Sequence, residues 1–394
     1  MTVRDVVVLE AARSAIGTFG GALAEIEPCE LAGTVMRETV RRSGVDPEAL
    51  HYVTVGHTLP TDSRFAYVAR VAAMQAGLSM DSVAMSVNRL CSSGLQAIVT
   101  TAQNILLGDC DYGVGGGVEV MSRAAYLAPA MRNGARMGNT TLIDSMVATL
   151  TDPFGVGHMG VTAENLAAKW SISREEQDAF AVESHRRAAA AIAGGRFGSQ
   201  IVKLTRSTRK GDVVFDTDEH VKPDTTLESL ARLKPVFRKD GSVTAGNASG
   251  INDGAAFLVL ADAAAAARDG HKPMARLVSH AVAGVPNDIM GEGPIPATRL
   301  ALKKAGLTLD RIDLVESNEA FAAQAIAVAR ALGFDPARTN PNGGAIALGH
   351  PIGCSGAFLA TKAVHELHRS GGRHALVTMC VGGGQGIAAI FERL

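Results

Sequence analysis

Short apolar runs alternate with amphipathic stretches along the first third of the chain. The runs predict strands at Val6–Leu9, near Tyr52–Val55 and into Gly115–Gly117, and the amphipathic stretches predict helices over about Glu30–Ser43 and Arg64–Ala76. Strands that alternate with helices form a mostly parallel sheet whose two faces are covered by helices. The pattern therefore predicts an α/β fold.

The stretch around Cys91 combines both signals. Ser82–Val87 is a short apolar run that predicts a buried strand, and Gly94–Leu107 carries apolar residues at the spacing of one helix face. Cys91 is then placed at a strand-to-helix junction, where free backbone N–H groups and the helix dipole favour an anion. We therefore expect a lowered pKa for its thiol. Most free cysteines are small buried hydrophobes, but the junction and the small neighbours of Cys91 favour a reactive thiol.

Residues 121–247 break the alternating pattern. They contain Gly- and Met-rich loops and one charged helix, which begins at a capping box of Ser173 and Glu176 and extends to Gly194. The charged stretch Arg206–Asp218 is expected to be exposed. We interpret this region as an inserted, looser subdomain.

The first pattern returns from about Arg276. Gly44–Val53 is similar to Gly306–Val315 at an offset of 262 positions (306 − 44). A similarity that recurs at one offset predicts a duplicated α/β unit.

Two further motifs fit this duplication. The same offset carries Ser93-Gly94 onto Ser355-Gly356, which again opens an apolar helical segment. The triple glycine Gly115–Gly117 is matched with Gly382–Gly384, displaced by a few more positions. We expect the two helices that open at the Ser-Gly pairs to pack around a pseudo-twofold axis, so that one site takes residues from both halves. The predicted division is a first half at residues 1–120 completed by 248–272, an inserted subdomain at 121–247, and a second half at 273–394.

Composition and charge exclude several classes of protein. The chain has 394 residues with 38 basic and 39 acidic side chains, so no basic excess points to nucleic acid. Its five cysteines show no paired spacing, which argues for a reducing compartment and against a disulfide framework. No apolar signal core opens the chain, and no apolar run approaches the roughly 18 residues of a membrane span, so we expect a cytoplasmic protein. No metal site is predicted, because His365-Glu366-Leu367-His368 has the wrong spacing for a helical zinc site.

Five segments place polar or reactive residues among small ones. They are Asn88–Ala97, Gly157–Gly160, Asn318–Ala322, Gly343–Gly353 and Cys380–Gly386. Their Asn-x-x-Cys, Asn-Glu-Ala-Phe, Gly-His-Pro and Cys-x-Gly motifs together resemble the thiolase family, whose members make or cleave 3-ketoacyl-CoA. The resemblance covers the whole chain and looks closest to the acetyl-CoA acetyltransferases and 3-ketothiolases of bacterial biosynthesis. It implies a thiolase-like fold of duplicated α/β units in αβαβα layers with an inserted loop subdomain.

The chemistry of thiolysis explains these residue types. An acyl group must be parked on the enzyme, which requires a thiolate nucleophile, Cys91, and a base within reach, for which His350 fits. The resemblance gives the α-proton to Cys380. It assigns one oxyanion site to His350 with Asn318, acting through a water, and the other to the backbone N–H groups of Cys91 and Gly382.

The resemblance also implies how coenzyme A is held. His158 is expected to position the substrate, and Met159 to offer a flexible apolar wall. Ser249 and Ala245 lie in the loop that resembles the family's pantetheine contact, and Lys222 matches a basic residue near the nucleotide end. Relatives often have Arg at the position of Lys222, and they usually have Ala where this chain has Cys354.

The substrates and assembly follow from the same resemblance. Acetyl-CoA, acyl-CoA and 3-ketoacyl-CoA are the expected partners, with no permanently bound cofactor, no nucleic acid and no membrane. A homotetramer, as a dimer of dimers, is expected, with contacts through the loop Tyr126–Met146.

Three other functions compete with this interpretation. A nicotinamide dehydrogenase is disfavoured, because Val118 and Ile387 stand where the third glycine of a dinucleotide motif belongs. A ketoacyl synthase that loses CO2 has no need of a second cysteine base at Cys380. A non-catalytic acyl-CoA or lipid carrier on the same fold would tolerate loss of Cys91, His350 or Cys380, yet all three are present.

Overall fold

The computed structural model describes residues 4–208 and 211–394. The strands are β1 Val6–Ser14, β2 Gly17–Thr18, β3 Tyr52–Gly56, β4 Val83–Val87, β5 Tyr112–Val120, β6 Tyr126–Leu127, β7 Ile143–Asp144, β8 Thr151–Asp152, β9 Gly157–His158, β10 Ile201–Val202, β11 Leu204–Thr208, β12 Gly211–Phe215, β13 Asn252–Asp262, β14 Ala275–Gly284, β15 Leu314–Ser317, β16 His374–Val381 and β17 Gln385–Arg393. The α-helices are α1 Pro28–Ser43, α2 Val68–Ala76, α3 Ser93–Leu107, α4 Ser145–Thr149, α5 Met159–Lys169, α6 Arg174–Ala193, α7 Leu227–Ala231, α8 Ala263–Arg268, α9 Pro294–Ala305, α10 Ala322–Leu332, α11 Ala345–Leu348 and α12 Ile352–Ser370.

The large sheet is built from two copies of one arrangement. Within the described part of the chain its main path runs β15-β16-β17-β14-β1-β13-β5-β3-β4. In the first copy, β1 pairs antiparallel with β13, β13 antiparallel with β5, and β5 parallel with β3. In the second, β14, β17, β16 and β15 repeat the same order and directions. The predicted duplication is therefore present in the strand topology, and a short β1–β14 pairing joins the copies.

The offset of 262 positions holds for individual elements. Helices α1 and α9 both end at a left-handed glycine, Gly44 and Gly306. Strands β3 and β15 begin 262 positions apart, as do β5 and β16. The predicted match of Gly115–Gly117 with Gly382–Gly384 was wrong. The offset places the first triplet opposite residues 377–379 inside β16, whereas Gly382–Gly384 form the turn that follows this strand.

Helices α3 and α12 meet backbone to backbone in the middle of the molecule. A Cβ atom on Gly94 would lie 2.8 Å from the backbone nitrogen of Ala357, and one on Gly356 would lie 2.4 Å from that of Leu95. Glycine is needed at both positions because any side chain would push the helices apart. This pair forms the central layer, α1 and α2 cover the outer face of the first half, and α9 and α10 cover that of the second. The order of layers is αβαβα, as predicted.

Strand β4 differs from the prediction of a buried strand. Its residues are exposed or partly buried and none is fully buried, with Val83 50% and Met85 42% exposed. The reason is its place at the edge of the sheet, where β3 is its only strand neighbour within the described residues. An apolar run fixes strand character, but it does not fix the position of the strand in the sheet.

The middle region is tied to the first half more closely than a loose insertion would be. Helix α6 begins at the predicted capping box of Ser173 and Glu176. The expectation of an exposed charged stretch holds for Gly211–Val214 but fails at its end. Asp218 is buried and forms a bidentate ion pair of 2.7 and 2.9 Å with Arg13 of β1. Arg209 and Lys210 lie outside the described residues.

No described helix has the length and apolarity needed to cross a membrane.

Candidate active site

One cavity gathers most of the predicted site residues. It has a volume of about 430 Å³ and lies where the two halves and the inserted region meet. Eight of the ten predicted site residues line it: Cys91, His158, Met159, Ala245, Ser249, His350, Cys380 and Gly382. Asn318 is buried next to His350. Lys222 is exposed and does not line the cavity.

Cys91 lies in a tight turn between strand and helix. A 3-10 turn, Leu90–Ser92, connects the region after β4 to the first residue of α3. Leu90 has a φ of 47°, in the left-handed region that a leucine rarely adopts. The backbone N–H groups of Gly382 and of Cys91 itself face the sulfur. The predicted junction is confirmed, and it presents a thiol beside two N–H donors from opposite halves of the fold.

The expected lowering of the Cys91 pKa was wrong. Burial raises the pKa of this thiol to about 11, and the N–H groups of Gly382 and Cys91 offset only part of that effect. The charge of Glu119 raises the pKa further. The physical reason is that, among the described residues, no cation lies close enough to outweigh the loss of water around the sulfur. The thiol is therefore protonated at neutral pH, and it needs a base to become a nucleophile.

The hydrogen bonds of His350 fix which ring nitrogen can act as that base. Nδ1 lies 2.5 Å from Ser355 Oγ, and this hydroxyl gives its only hydrogen to the carbonyl of Pro351 at 2.8 Å. Ser355 Oγ must then accept from His350, so the proton of the neutral ring is on Nδ1. The bare nitrogen is Nε2. The lone pair of the neutral His350 ring is therefore on Nε2, the nitrogen that can accept a proton.

Burial keeps His350 neutral. It lowers the pKa of the imidazole to about 4. Gly349, with a φ of 103°, brings the chain close to Asn252, whose Oδ1 accepts the backbone N–H of His350 at 3.1 Å. A Cβ atom at Gly349 would lie 2.4 Å from the Asn252 side chain, so glycine is required for this anchor.

Asn318 contacts the Nε2 side of the His350 ring. Its Nδ2 lies 3.4 Å from His350 Nε2, a long contact in which the amide is the donor. Asn340 braces this segment, because it accepts the N–H of Ser317 at 2.9 Å and donates to the carbonyl of Ser317 at 2.8 Å. Nε2 and the Asn318 amide are therefore held side by side at the cavity.

Cys380 approaches the cavity from the last residues of β16. It is fully buried in an apolar cluster with Met159, Met290 and Phe321. Burial raises the pKa of its thiol, and the nearby Cys91 adds to this effect. A thiol with a raised pKa is a weak acid and its thiolate a strong base, which suits proton transfer to and from carbon.

His158 is a hydrogen-bond donor toward the cavity. It caps helix α5, because its Nδ1 accepts the N–H of Gly160 at 3.1 Å. The neutral ring then carries its proton on Nε2. Burial lowers the pKa of His158, and the ring stacks on Phe237 with 4.7 Å between centroids. A neutral, fixed donor can orient a substrate carbonyl.

Comparisons with known proteins identify the family of this chain. The description "Thiolase, N-terminal domain" matches residues 6–264, and "Thiolase, C-terminal domain" matches residues 271–393. The chain belongs to the thiolase family. A beta-ketothiolase, BktB, of Cupriavidus necator is 57% identical over 99% of this chain and 100% of its own length. An acetyl-CoA acetyltransferase of Pseudomonas aeruginosa is 50% identical, with coverage of 99% and 100%.

Solved thiolase structures have the same fold. Human mitochondrial 3-ketoacyl-CoA thiolase superposes with a TM-score of 0.98 at 43% identity, covering 100% of both chains. Bacillus anthracis acetyl-CoA acetyltransferase gives 0.97 at 46% identity, covering 100% of this chain and 99% of its own. Family membership makes this chain an acyltransferase, and the comparisons do not favour the ketoacyl-synthase or carrier alternatives.

The loop expected to contact pantetheine is rigidly held in this thiolase. Glu164 accepts the N–H groups of Ser242 and Val243 at 2.9 Å, and Asn247 accepts that of Thr244 at 2.8 Å. The loop Val243–Gly250 therefore presents Ala245 and Ser249 to the cavity from a fixed backbone.

Several residues that support the thiolase site were not predicted from sequence. They are Ser355, Asn252, Asn340, Phe237 and Glu119. Ser355 had a signal, because the repeat offset already singled it out, although only as a marker of the duplication. The others lie far in sequence from the residues that they hold, so no local motif indicates them. Among the described residues, no group of three or more His, Cys, Asp or Glu side chains could hold a metal ion.

Proposed function

We propose that this thiolase catalyses the reversible condensation of an acyl-CoA with acetyl-CoA and the CoA-dependent cleavage of 3-ketoacyl-CoA, through an acyl-Cys91 intermediate. The observation that carries the proposal is that two cysteine thiols, Cys91 and Cys380, and the bare Nε2 of His350 line one cavity. The names of the relatives, beta-ketothiolase and acetyl-CoA acetyltransferase, support the same reaction.

The first half of thiolysis breaks the carbon–carbon bond. Cys91 gives its proton to His350 Nε2 and attacks the 3-keto carbon, and the resulting oxyanion is stabilised by backbone donors. We assign this role to the N–H groups of Cys91 and Gly382, which face the sulfur. As the carbon–carbon bond breaks, the acetyl-CoA enolate takes a proton from Cys380, whose raised pKa keeps it protonated and ready to donate.

The second half regenerates the enzyme. The thiol of CoA gives its proton to the thiolate of Cys380 and attacks the acyl-Cys91 thioester. The sulfur of Cys91 leaves and takes back the proton held by His350, and the shortened acyl-CoA is released. In the condensation direction, the thiolate of Cys380 removes the α-proton of acetyl-CoA. The enolate oxygen then lies against His350 and Asn318, whose side chains are held together at Nε2.

The cavity walls favour an acyl-CoA substrate. They are mostly apolar, with Leu150, Met159, Met290 and Phe321 among them, and His158 supplies a fixed donor. We assign Ser249 and Ala245 to the pantetheine arm and Lys222 to the nucleotide end of CoA. CoA compounds serve as substrates, with no permanently bound cofactor. Roles in fatty acid metabolism and polyhydroxyalkanoate biosynthesis follow from this substrate class and from the bacterial relatives.

The assembly and location form a second part of the proposal. A homotetramer, as a dimer of dimers in the cytoplasm, would cover two apolar surfaces. One is the exposed edge strand β4, and the other is the loop Tyr126–Met146, where Tyr126 is 64% and Met137 95% exposed. We retain the division into residues 1–120 with 248–272, 121–247 and 273–394, because β13 lies between β1 and β5 of the first half.

The direct test is loss of the Mg²⁺–acetoacetyl-CoA enolate absorbance, with and without free CoA. Loss only in the presence of CoA supports thiolysis, and loss without CoA contradicts it. Mass spectrometry after incubation with acetyl-CoA should find one acetyl group on the peptide that contains Cys91. A ladder of 3-ketoacyl-CoA chain lengths then defines the preferred substrate.

A further inference from the structure

Glu119 is a buried carboxylate close to the site but outside the cavity. It lies near the end of β5, and both of its oxygens are occupied. Oε2 accepts the N–H of Gly353 at 2.9 Å and that of Thr58 at 3.1 Å. Oε1 accepts the N–H of Leu59 at 3.2 Å and lies 3.0 Å from Nδ1 of His57. This carboxylate therefore binds segments from both halves of the fold.

The two bound segments carry the two reacting groups. Gly353 lies three positions after His350, in the first turn of α12. Thr58 Oγ1 lies 3.4 Å from the carbonyl oxygen of Leu90 and 3.4 Å from Ser93 Oγ, on either side of the nucleophile. A single carboxylate thus connects the histidine segment to the Cys91 turn through one intervening threonine.

The Cys91 turn needs such support. The left-handed φ of Leu90 is a strained conformation that persists only when the surroundings hold it. Asn88 adds to the holding contacts, because its Oδ1 accepts the N–H of Leu90 at 2.9 Å and its Nδ2 donates to the carbonyl of Thr58 at 3.5 Å. Thr58 is the residue that these contacts share with Glu119.

We propose that Glu119, held by His57, is a positioning residue that fixes the Cys91 turn against the His350 segment, so that the thiol proton can reach Nε2. The inference rests on the proposed role of His350 as the base for Cys91. Glu119 does not line the cavity, and it acts only through the two segments that it holds.

The charge of Glu119 and its positioning role have opposite effects on the reactivity of Cys91, so an experiment can distinguish them. Burial acts to lower the pKa of His57, but the charge and hydrogen bond of Glu119, together with the carbonyl of Val118, outweigh it and leave that pKa raised. A weaker contribution to the His57 pKa comes from Asp62. The same carboxylate raises the pKa of Cys91. The negative charge of Glu119 therefore opposes ionisation of the Cys91 thiol. Its hydrogen bonds favour proton transfer from that thiol, because they hold the two segments in place.

Alkylation of Cys91 by iodoacetamide, mapped to its peptide and followed over pH, separates these roles. In Glu119→Gln the negative charge is lost, and one carboxylate oxygen, which accepted hydrogen bonds, is replaced by an NH2 group, which donates them. The positioning role predicts slower alkylation at neutral pH, on the order of tenfold to a hundredfold, because small misplacements have large effects on rate. Faster alkylation, which a purely electrostatic role requires, or an unchanged rate overturns the proposal.

A second variant keeps the test open if Glu119→Gln folds poorly. Glu119→Asp retains the charge but is one methylene shorter, so it cannot reach both segments, and alkylation should again slow at neutral pH. The matched control is Glu316→Gln. Glu316 is equally buried and paired with Lys362 at 2.7 Å, but it holds neither reacting segment. The Glu316→Gln substitution should lower the thermal stability of the protein without changing the pH profile of Cys91 alkylation. If Glu119→Asp and Glu316→Gln give the same profile, the inference fails.

The double variant with His350→Ala shows whether Glu119 acts through the histidine. Once His350 is absent, Glu119→Gln should slow alkylation no further, because coupled residues are not additive. Additive losses overturn the inference while leaving the proposed base in place. If His350→Ala alone leaves alkylation at neutral pH unchanged, the base itself is wrong, and the role given to Glu119 falls with it.

Discussion

Ser355 Oγ accepts a hydrogen bond from Nδ1 of His350 at 2.5 Å, and it can only accept, because its own hydrogen goes to Pro351. This one hydroxyl therefore determines which nitrogen of the imidazole is basic. Neither residue could be assigned this relationship from its own motif, since Ser355 lies on α12 and His350 in the loop before it.

Replacement of Ser355 by alanine should remove the restraint on the ring. We expect acetyl transfer from acetyl-CoA to Cys91 to fall by roughly 10²-fold or less, with little change in the KM for acetyl-CoA, because the ring can then adopt the other tautomer or rotate. Rapid-quench mass spectrometry measures the rate. The control is Ser370→Ala on the same helix, whose hydroxyl also donates to a carbonyl four residues back but contacts no histidine. Equal rates in the two variants would contradict the assignment.

Cys380→Ser should separate acyl transfer from carbon chemistry. The variant should still take up acetyl on Cys91 and exchange it with CoA, because those steps do not need the second thiol. It should form no acetoacetyl-CoA and wash no solvent deuterium into the methyl group of acetyl-CoA, because an alcohol is a much weaker acid than a thiol. Serine is close in size, so packing is retained. Cys91→Ser, the companion variant, should lose both activities. Normal thiolysis in Cys380→Ser would mean that this residue only packs.

Stability should fall on acidification between about pH 6.5 and 4. Burial lowers the pKa values of His185, His220, His350 and His365 to about 4 from an ordinary 6.5. At these four histidines the unfolded chain binds more protons than the folded one in this window, so they make the free energy of unfolding decrease from pH 6.5 toward pH 4. Asp253 and Glu316, whose pKa values burial raises to about 6 and about 7, act in the opposite direction. Urea unfolding at a series of pH values measures the slope. His365→Gln should reduce it, whereas His51→Gln, at an exposed position, is the control. An unchanged slope in His365→Gln would refute this account.

The ion pair of Arg13 and Asp218 should contribute strongly to stability. Asp218→Asn leaves the Arg13 guanidinium buried with reduced compensation, so we expect a loss of about 3 to 5 kcal/mol in the free energy of unfolding. The exposed pair of Asp335 and Arg338 is the control, and Asp335→Asn should cost about 1 kcal/mol or less. Urea unfolding of both variants decides the matter. Similar losses would mean that the buried pair is no more than a surface contact.

Local patterns predicted a large share of the fold. The helix expected over about Glu30–Ser43 is Pro28–Ser43, and the capping box at Ser173 begins a helix as expected. The repeat offset predicted the duplicated unit that the strand topology contains. These features are encoded by neighbouring residues, because periodicity, capping and turn glycines act within a few positions.

Properties set by residues that are far apart along the chain could not be predicted from the sequence. The exposure of β4 depends on where the strand lies in the sheet, and the pKa of Cys91 depends on how deeply the fold buries it. The motifs brought eight predicted residues to one cavity, but the supports supplied by Glu119 and Asn340 come from other strands and loops. No spacing along the chain reveals a hydrogen bond that only the tertiary fold creates.

The duplicated architecture also has an evolutionary consequence. Each half offers equivalent positions for chemistry, yet Asn88 stands where the second half has His350, and Gly353 stands where the first half has Cys91. Gly56 likewise stands opposite Asn318. In the proposed mechanism the two copies have specialised: one supplies the acyl acceptor, and the other supplies the groups that move protons. A dimer of two identical half-length chains could not divide these roles, because every substitution would appear in both copies.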